Sequence, residues 1–518
     1  MSSFGDLPIH LALRMESVVK ERHMKDILLL LNYSTEINIP DKKGNTPIIL
    51  AASFCSVDVI KKMIEIGADM TYKEDEGNSA LHKHMGILIR MLHNIIIIYA
   101  CMAAALNTQN NLGETPFNRF MKSSYIVYKD IQFLVEDCGS DLNNDKIGCN
   151  SALMDAIERN RFYAVPYLIR HMVNLNHIGQ EGQTALHVAL LKGKCRFDLS
   201  IEAKLKRIRT DIQEMSDVKD TSVNIRKRGC SFQEEVPLKR RRYLINQVLE
   251  RQSGKAVKTA SEISKTKIDD NRQAKVVETV MCLLNAGADV NIITENGKSP
   301  LYLLLSKHPW KIVQKLFPLI IEKGADPNLG HYPPLEIATL LRRVSHVKSL
   351  LKHGAKVDIT NRRNETALIC ATRMCYLEKK EKLIQTIEIL LQAGASVNVK
   401  DEQGNTPLII SIRNGCFQER DNLDSEVNKI VSLLLKNGAD PNTQDNGKDS
   451  ALILAVENML PSVVRTLLKY GANVDHIGEH CGSILQRCLH TKSMRFKIFL
   501  IISIKCLNFY FCKYVYNI

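Results

Sequence analysis

Gly404-Asn405-Thr406-Pro407-Leu408-Ile409-Ile410, followed downstream by Asn437-Gly438-Ala439-Asp440-Pro441-Asn442, decides how this chain is read. Thr406 before Pro407 is a helix start: a hydroxyl N-cap, with proline tolerated in the first turn because its missing N–H has no intrahelical partner there. Gly438 is a helix stop. Glycine takes the left-handed conformation that ends a helix without a Cβ penalty. Between one stop and the next start lies a polar turn such as Lys400-Asp401-Glu402-Gln403-Gly404-Asn405. The unit is two short helices and a hairpin-like loop, and it cannot close a core alone.

Working outward, the start signal recurs at Thr46, Ser79, Thr115, Ser151, Thr184, Ser299, Pro333, Thr366, Thr406 and Ser450, with weaker copies at Leu7 and Ser483. Several successive spacings are 33. The stop signal, Gly-Ala-Asp/Asn-x-Asn in full or near form, stands at Gly67, Gly287, Gly324, Gly354, Gly394, Gly438 and Gly471, with Gly139 in the same place. Ser34, Ala103 and Met172 occupy it in the remaining copies. From the end of the stop to the next start is eight positions, except between Asn328 and Pro333. Self-similarity at such a period marks a stacked array in which neighbours bury one continuous core.

These residues carry a family resemblance. Gly44-Asn45-Thr46-Pro47-Ile48 with Ile66-Gly67-Ala68-Asp69, and Gln183-Thr184-Ala185-Leu186-His187-Val188-Ala189, resemble the ankyrin repeat and its T-P-L-H-x-A signature. The resemblance covers about residues 5 to 490 in about twelve copies. It implies an all-α solenoid of helix–turn–helix units, a concave protein-binding surface of hairpin tips and first helices, and scaffold rather than catalytic roles for His10, His82 and His187. The N-terminal half departs more from the pattern.

The interval from start to stop is 21 residues in regular copies, 28 from Thr366 to Gly394, 32 from Thr406 to Gly438 and 103 from Thr184 to Gly287. The extra residues fall between the two helices (Tyr376 to Lys382, Phe417 to Ser425, Lys194 to Asn271), where lengthening a loop costs only logarithmically. The chain thus divides into repeats over 1–193 (units starting near 7, 46, 79, 115, 151 and 184), an insert over 194–271, repeats over 272–490 (starting near 299, 333, 366, 406, 450 and 483) and an apolar tail over 491–518.

The charge sorts by the same division. With 70 Lys+Arg against 56 Asp+Glu the net charge is +14, and Lys192 to Lys275 holds +10 of it, leaving +4 elsewhere. This argues against a basic groove running along the repeats. The insert is expected to be largely disordered around a short amphipathic helix, with Ile201, Leu205, Ile208, Ile212 and Met215 on one face. That stripe would fold back on the repeats, pair with a partner helix or lie on a membrane surface. Arg226-Lys227-Arg228, ten residues, then Lys239-Arg240-Arg241-Arg242 resembles a bipartite nuclear localisation signal, which would make a nuclear import receptor a partner. A solvated loop and nucleic-acid contact are the other readings, the latter weakened by having only Phe232 and Tyr243 nearby for stacking.

Catalytic motifs are missing: no phosphate-binding loop, dinucleotide fingerprint, zinc-protease helix or nucleophile elbow. No cofactor is implied. His476, His480, Cys481, Cys488 and His490 match no standard zinc spacing, so no metal is expected. Met1 to Leu13 reads as lacking a signal peptide, and the 14 cysteines, without C-x-x-C pairs, read as reduced thiols, which points to the cytoplasm, the nucleus or both. Residues 494–518 read as a membrane anchor or as a truncated last repeat. Three functions stay open: a non-catalytic scaffold or adaptor binding other proteins, the cytosolic part of a membrane channel, receptor or toxin-like protein, and a nuclear regulator using the insert. For the scaffold, the candidate partner-binding tips are Lys42, Lys43, Tyr72, Glu74, Thr294, Glu295, Arg362, Arg363, Glu402 and Gln403.

Overall fold

The computed structural model describes residues 7–15, 23–33, 36–54, 57–83, 105–123, 126–143, 146–192, 260–374, 380–414, 423–446 and 448–476. Among them every regular element is helical, and two positions, Gln444 and Ser450, form an isolated bridge. The all-α reading holds. No helix of the described residues is long and apolar enough to cross a membrane. The basic clusters at 226–228 and 239–242, the stripe at 201–215 and the tail lie outside the described residues.

The chain forms two compact units, residues 1–294 with 307–316 and residues 295–306 with 317–518. In the second unit the first helices of successive repeats (Pro334–Leu340, Ala367–Arg373, Pro407–Asn414, Ala451–Glu457) pack in one row. The second helices (Val344–Lys352, Lys380–Gln392, Leu423–Lys436, Pro461–Lys469) pack in another. The first unit repeats the plan with Pro8–Met15 on Pro47–Phe54, Pro116–Lys122 on Ala152–Glu158, and the latter on Ala185–Lys192.

The two rows differ in sequence because they differ in surroundings. A first helix is covered on several sides, so Ala451 through Val456 are all buried. A second helix is covered on one side: Val463, Val464, Leu467 and Leu468 are buried, while Arg465 and Lys469 are exposed. That is the amphipathic stripe of a half-covered helix. Truncating a core side chain such as Leu467 to alanine should cost about 2–5 kcal/mol.

The predicted starts and stops form as helix caps. Thr115, Ser151, Thr366 and Ser450 each accept the backbone N–H three residues on. Gly67, Gly139, Gly287, Gly324, Gly354, Gly394, Gly438 and Gly471 all have positive φ. Met172 adopts the same conformation at φ 57°. Ser34 and Ala103 lie outside the described residues.

The second helices reach further into the extra residues than the sequence suggested. The helix after the long insert spans Ala260–Asn285, so it begins inside the stretch assigned to the insert rather than after Asn271. That segment contains no Gly or Pro, and adding residues to an existing helix is far easier than nucleating one. Likewise Lys380–Gln392 and Leu423–Lys436 start within the extra residues of their repeats, which therefore partly lengthen the second helix.

Candidate functional site

Several hairpins are built on the residue five places before the helix cap. Asp401 Oδ1 accepts the N–H groups of Gln403 (2.9 Å) and Asn405 (2.8 Å), and Asp41 does the same for Lys43 and Asn45 at 2.8 Å. Asn361 repeats the pattern with Arg363 and Glu365. A short acceptor side chain thereby organises the turn in place of a backbone partner. The two residues that follow are carried outward as the tip.

This register sorts the predicted tips. Lys42, Lys43, Glu295, Arg362, Glu402 and Gln403 are exposed, Arg363 and Tyr72 half-buried. Glu74 and Thr294 are corrected: both stand at the inward fifth position and are buried. Glu74 accepts from Asn78 Nδ2 at 2.7 Å and pairs with Lys83 at 2.8 Å, so it braces the hairpin.

Beneath the tips runs a ladder of ion pairs. Arg373, seven past Thr366, places Nη2 2.7 Å from Glu365 Oε1 in its own hairpin and 2.9 Å from Asp401 Oδ2 in the next. Arg413, seven past Thr406, likewise bonds Asn405 Oδ1 at 2.7 Å and pairs with Asp445. Arg14 pairs with Asp41 at 2.5 Å and Lys122 with Glu114 at 2.5 Å. Burial alone would raise the Asp41 carboxyl, but the Asn45 and Lys43 N–H groups and Arg14 outweigh it and hold it below the ordinary value. Glu114 is lowered in the same way, burial being outweighed chiefly by Lys122.

Two further stitches join neighbouring repeats. The Asn that ends the stop signal donates to the helix-ending carbonyl of the next repeat and accepts the N–H two residues beyond it. Asn398 does so with Gly438 O (3.1 Å) and Asp440 N (2.9 Å), and Asn38 with Gly67 O (3.0 Å) and Asp69 N (2.8 Å). On the other edge, Arg161 donates to Met121 O, Arg343 to Leu305 O (3.1 Å), His308 to Leu190 O (2.7 Å) and Asn458 to Ile412 O (3.0 Å). Each satisfies a carbonyl at a first-helix end that has no intrahelical donor. The signature histidines also brace: His82 Nδ1 accepts from Ser79 N (3.1 Å), so Nε2 is the donor to Glu114 O (2.9 Å). Burial pushes its pKa down, keeping the ring neutral.

Glu336, Glu365 and Cys370 bring ligand atoms within 4.8 Å of one another. The set does not fit a metal site: Arg373 already lies against Glu365, and Asn361 Nδ2 donates to both Glu336 and Glu365 at 3.0 Å. It belongs to the ladder. Of the histidines and cysteines near the end of the repeats, His476 alone is described, and its Nε2 bonds Lys448 O at 2.8 Å.

Sequence reasoning missed one group at the tips. The hairpin shortened between Asn328 and Pro333 presents exposed His331 and half-buried Tyr332 instead of the usual polar pair. That five-position interval was the signal. Arg362 Nη2 lies 2.7 Å from His331 Nδ1, and its guanidinium sits 5.4 Å from the centre of the Tyr332 ring.

Comparison with known proteins bears on this geometry. Family models described as ankyrin repeats match residues 101–197, 335–423 and 379–478, and a single-repeat model matches residues 43–75. Together they cover more than half of the chain. An ankyrin repeat protein of Acanthamoeba polyphaga mimivirus is 27% identical over 202 residues, 37% of this chain and 25% of the relative. An ankyrin repeat protein of Variola virus is 33% identical over 95 residues, 18% of this chain and 17% of the relative. The chain therefore spans a quarter or less of the length of these relatives.

Proposed function

Because this chain belongs to the ankyrin-repeat family and so carries a protein-interaction scaffold, we propose that it works without catalysis, as an adaptor. Protein partners are held against the exposed hairpin tips. The observation that carries this reading is the division of labour within each hairpin. The base is tied by side-chain bonds to its own turn and to its neighbours, whereas Lys42, Lys43, Glu295, Arg362, Glu402 and Gln403 project from it. A surface ordered before binding loses less entropy on association.

The test is a variant with Glu295, Arg362, Arg363 and Glu402 all changed to alanine. It should capture less of a cellular partner while keeping the wild-type melting temperature. Unchanged capture rejects the reading. Thr294 is left intact in this variant because it is buried, and its loss would report on folding instead.

The role extends to regulation in both cytoplasm and nucleus, with import through Arg226-Lys227-Arg228 and Lys239-Arg240-Arg241-Arg242. A fluorescent fusion with Lys239 to Arg242 changed to alanine should be excluded from the nucleus. A fusion that stays nuclear refutes the import signal without touching the tip reading.

A further inference from the structure

We infer that the hairpin carrying Arg362 and Arg363 is a docking point for an acidic segment of a protein partner, which it takes by one or two carboxylate side chains. The inference rests on the tip reading above and adds the chemistry of the partner.

Three hairpins build this point. His331 is fixed by its N–H to Gly297 O at 2.8 Å, and its ring lies against Gly297, where a Cβ would come 2.2 Å from Nδ1. No other residue type leaves room for that packing. Tyr332 lies 5.1 Å from the buried Tyr302 ring, tilted by 32°. Arg362 is then held by the His331 nitrogen and the Tyr332 face. A guanidinium stacked on an aromatic ring has lost most of its rotamer freedom before any ligand arrives.

The arginines of the ion-pair ladder beneath the tips are the contrast. Arg14, Arg373 and Arg413 each meet a carboxylate. Among the described residues no carboxylate lies within ion-pair distance of Arg362 or Arg363. Glu336 and Glu365 face the underside of the hairpin, toward Asn361 and Arg373. The tip thus presents two adjacent guanidiniums, one of them preorganised, with no internal anion. Planar forks of this kind match carboxylates in paired hydrogen bonds.

The surroundings set the size of the ligand charge. Exposed Glu295 stands on the Gly297 hairpin and exposed Glu402 on the hairpin after Arg363, so the positive spot is narrow. A nucleic acid carries a charge on every phosphate and would meet those two acids. A protein segment can concentrate one or two carboxylates at a single point and be neutral on either side.

The experiment selects binders to the full chain from a displayed library of random twelve-residue peptides, with parallel selection on the R362A/R363A variant. Wild type should enrich sequences with adjacent Glu or Asp, and the variant should not. The best acidic peptide, followed by fluorescence anisotropy, should bind the double variant about tenfold more weakly, the loss expected for a charge-assisted contact. Arg362→Lys and Tyr332→Leu keep a cation but lose the fork or the stack, and each should weaken binding about threefold. Thermal melting of every variant checks folding: exposed Arg362 should leave it unchanged, and binding to variants at half-buried Arg363 and Tyr332 is compared at a temperature well below their midpoints.

Lack of acidic enrichment on wild type overturns the inference, as does binding to the double variant within twofold. Tighter binding of a twelve-nucleotide oligouridylate than of the peptide overturns it in favour of nucleic acid. If E295A/E402A abolishes peptide binding and R362A/R363A does not, the tip reading survives and this one fails. If neither has an effect, the tip reading fails as well.

Discussion

The hairpins from Asn361 to Asp449 and those from Asn110 to Gln183 follow one backbone plan but balance their charges differently. In the first set, Arg373 and Arg413 each bridge two successive hairpins, so Glu365, Asp401 and Asp445 all face a cation. In the second, the matching position holds Lys122, paired with Glu114, and then Glu158, which accepts from Asn150. Asp155 in that region is 1% exposed, and its Oδ2 has no hydrogen-bond partner among the described residues. Burial pushes its pKa up to about 7, opposed by Lys122 and reinforced by Glu158 and Glu114. Stacking apolar faces specifies the fold in both regions. The polar ladder decides how stable each region is and at what pH.

The largest effect should come from breaking the closed ladder. Arg373→Ala leaves Glu365 and Asp401 facing each other with little solvent, side chains 11% and 3% exposed. We expect a loss of about 3–4 kcal/mol. Because repeat arrays can unfold in parts, hydrogen exchange within Ala367–Arg373 is the measurement to use, alongside the urea midpoint. Arg373→Lys should recover less than half, since an ammonium cannot bridge two carboxylates in one plane. A loss below about 1 kcal/mol would mean the ladder is a surface feature.

Asp155 should behave in the opposite sense. Its folded pKa, about 7, lies above the ordinary 3.8. Between those values the folded chain retains a proton that the unfolded chain has released. Stability from this group is therefore full below about pH 4, falls as pH rises to about 7 and is level beyond. Asp155→Asn should flatten that slope and stabilise the first unit at pH 8 by roughly 2–3 kcal/mol. An unchanged slope between pH 4 and 7 would remove the electrostatic contrast between the two regions.

The same comparison holds at the helix ends. Met172 stands in the left-handed conformation at φ 57°, with 84% of its surface exposed. Met172→Gly should stabilise by about 1 kcal/mol, because the strain is relieved and little buried surface is lost. Gly438 has φ 87° and open space around its Cβ direction, so Gly438→Ala should cost about the same through the backbone alone. Opposite signs in paired urea melts would confirm that the first unit departs from the pattern at a measurable price.

Why the caps and stops were legible and the ladder was not is a matter of range. Thr366 caps the N–H of Ile369, three residues away, and Gly438 ends its own helix, so composition along a few residues suffices. Asn398 reaches across 40 residues to Gly438 O, and Arg343 across 38 to Leu305 O. Such partners are invisible until the period is known and the repeats are stacked. The tips show an intermediate case. Their place between stop and start is readable, but polarity alone does not separate Glu74 and Thr294, which turn inward, from the exposed positions beside them. His331 and Tyr332 escape the pattern because their hairpin lacks the usual length.

The smallest effect tests whether departures from the pattern are compensated in pairs. Asp358 holds the place of the stitching Asn, and Ser396 the place where Asp69, Asp141, Asp289 and Asp440 stand. Asp358 Oδ1 accepts Ser396 N at 2.9 Å, and Ser396 Oγ donates to Oδ2 at 2.6 Å. The hydroxyl thus serves the oxygen that replaces the amide group. Asp358→Asn alone gains a donor for Gly394 O but loses that charge-assisted bond, so it should change stability by less than about 0.5 kcal/mol. Ser396→Asp alone sets two carboxylates side by side and should destabilise by about 1 kcal/mol. The double change restores the motif seen at Asn398 and Asp440, so it should stand near wild type, with a coupling of about 1 kcal/mol in a double-mutant cycle. Additive changes would mean that these two positions drifted independently, and that the stitch at this repeat contributes nothing its neighbours do not already supply.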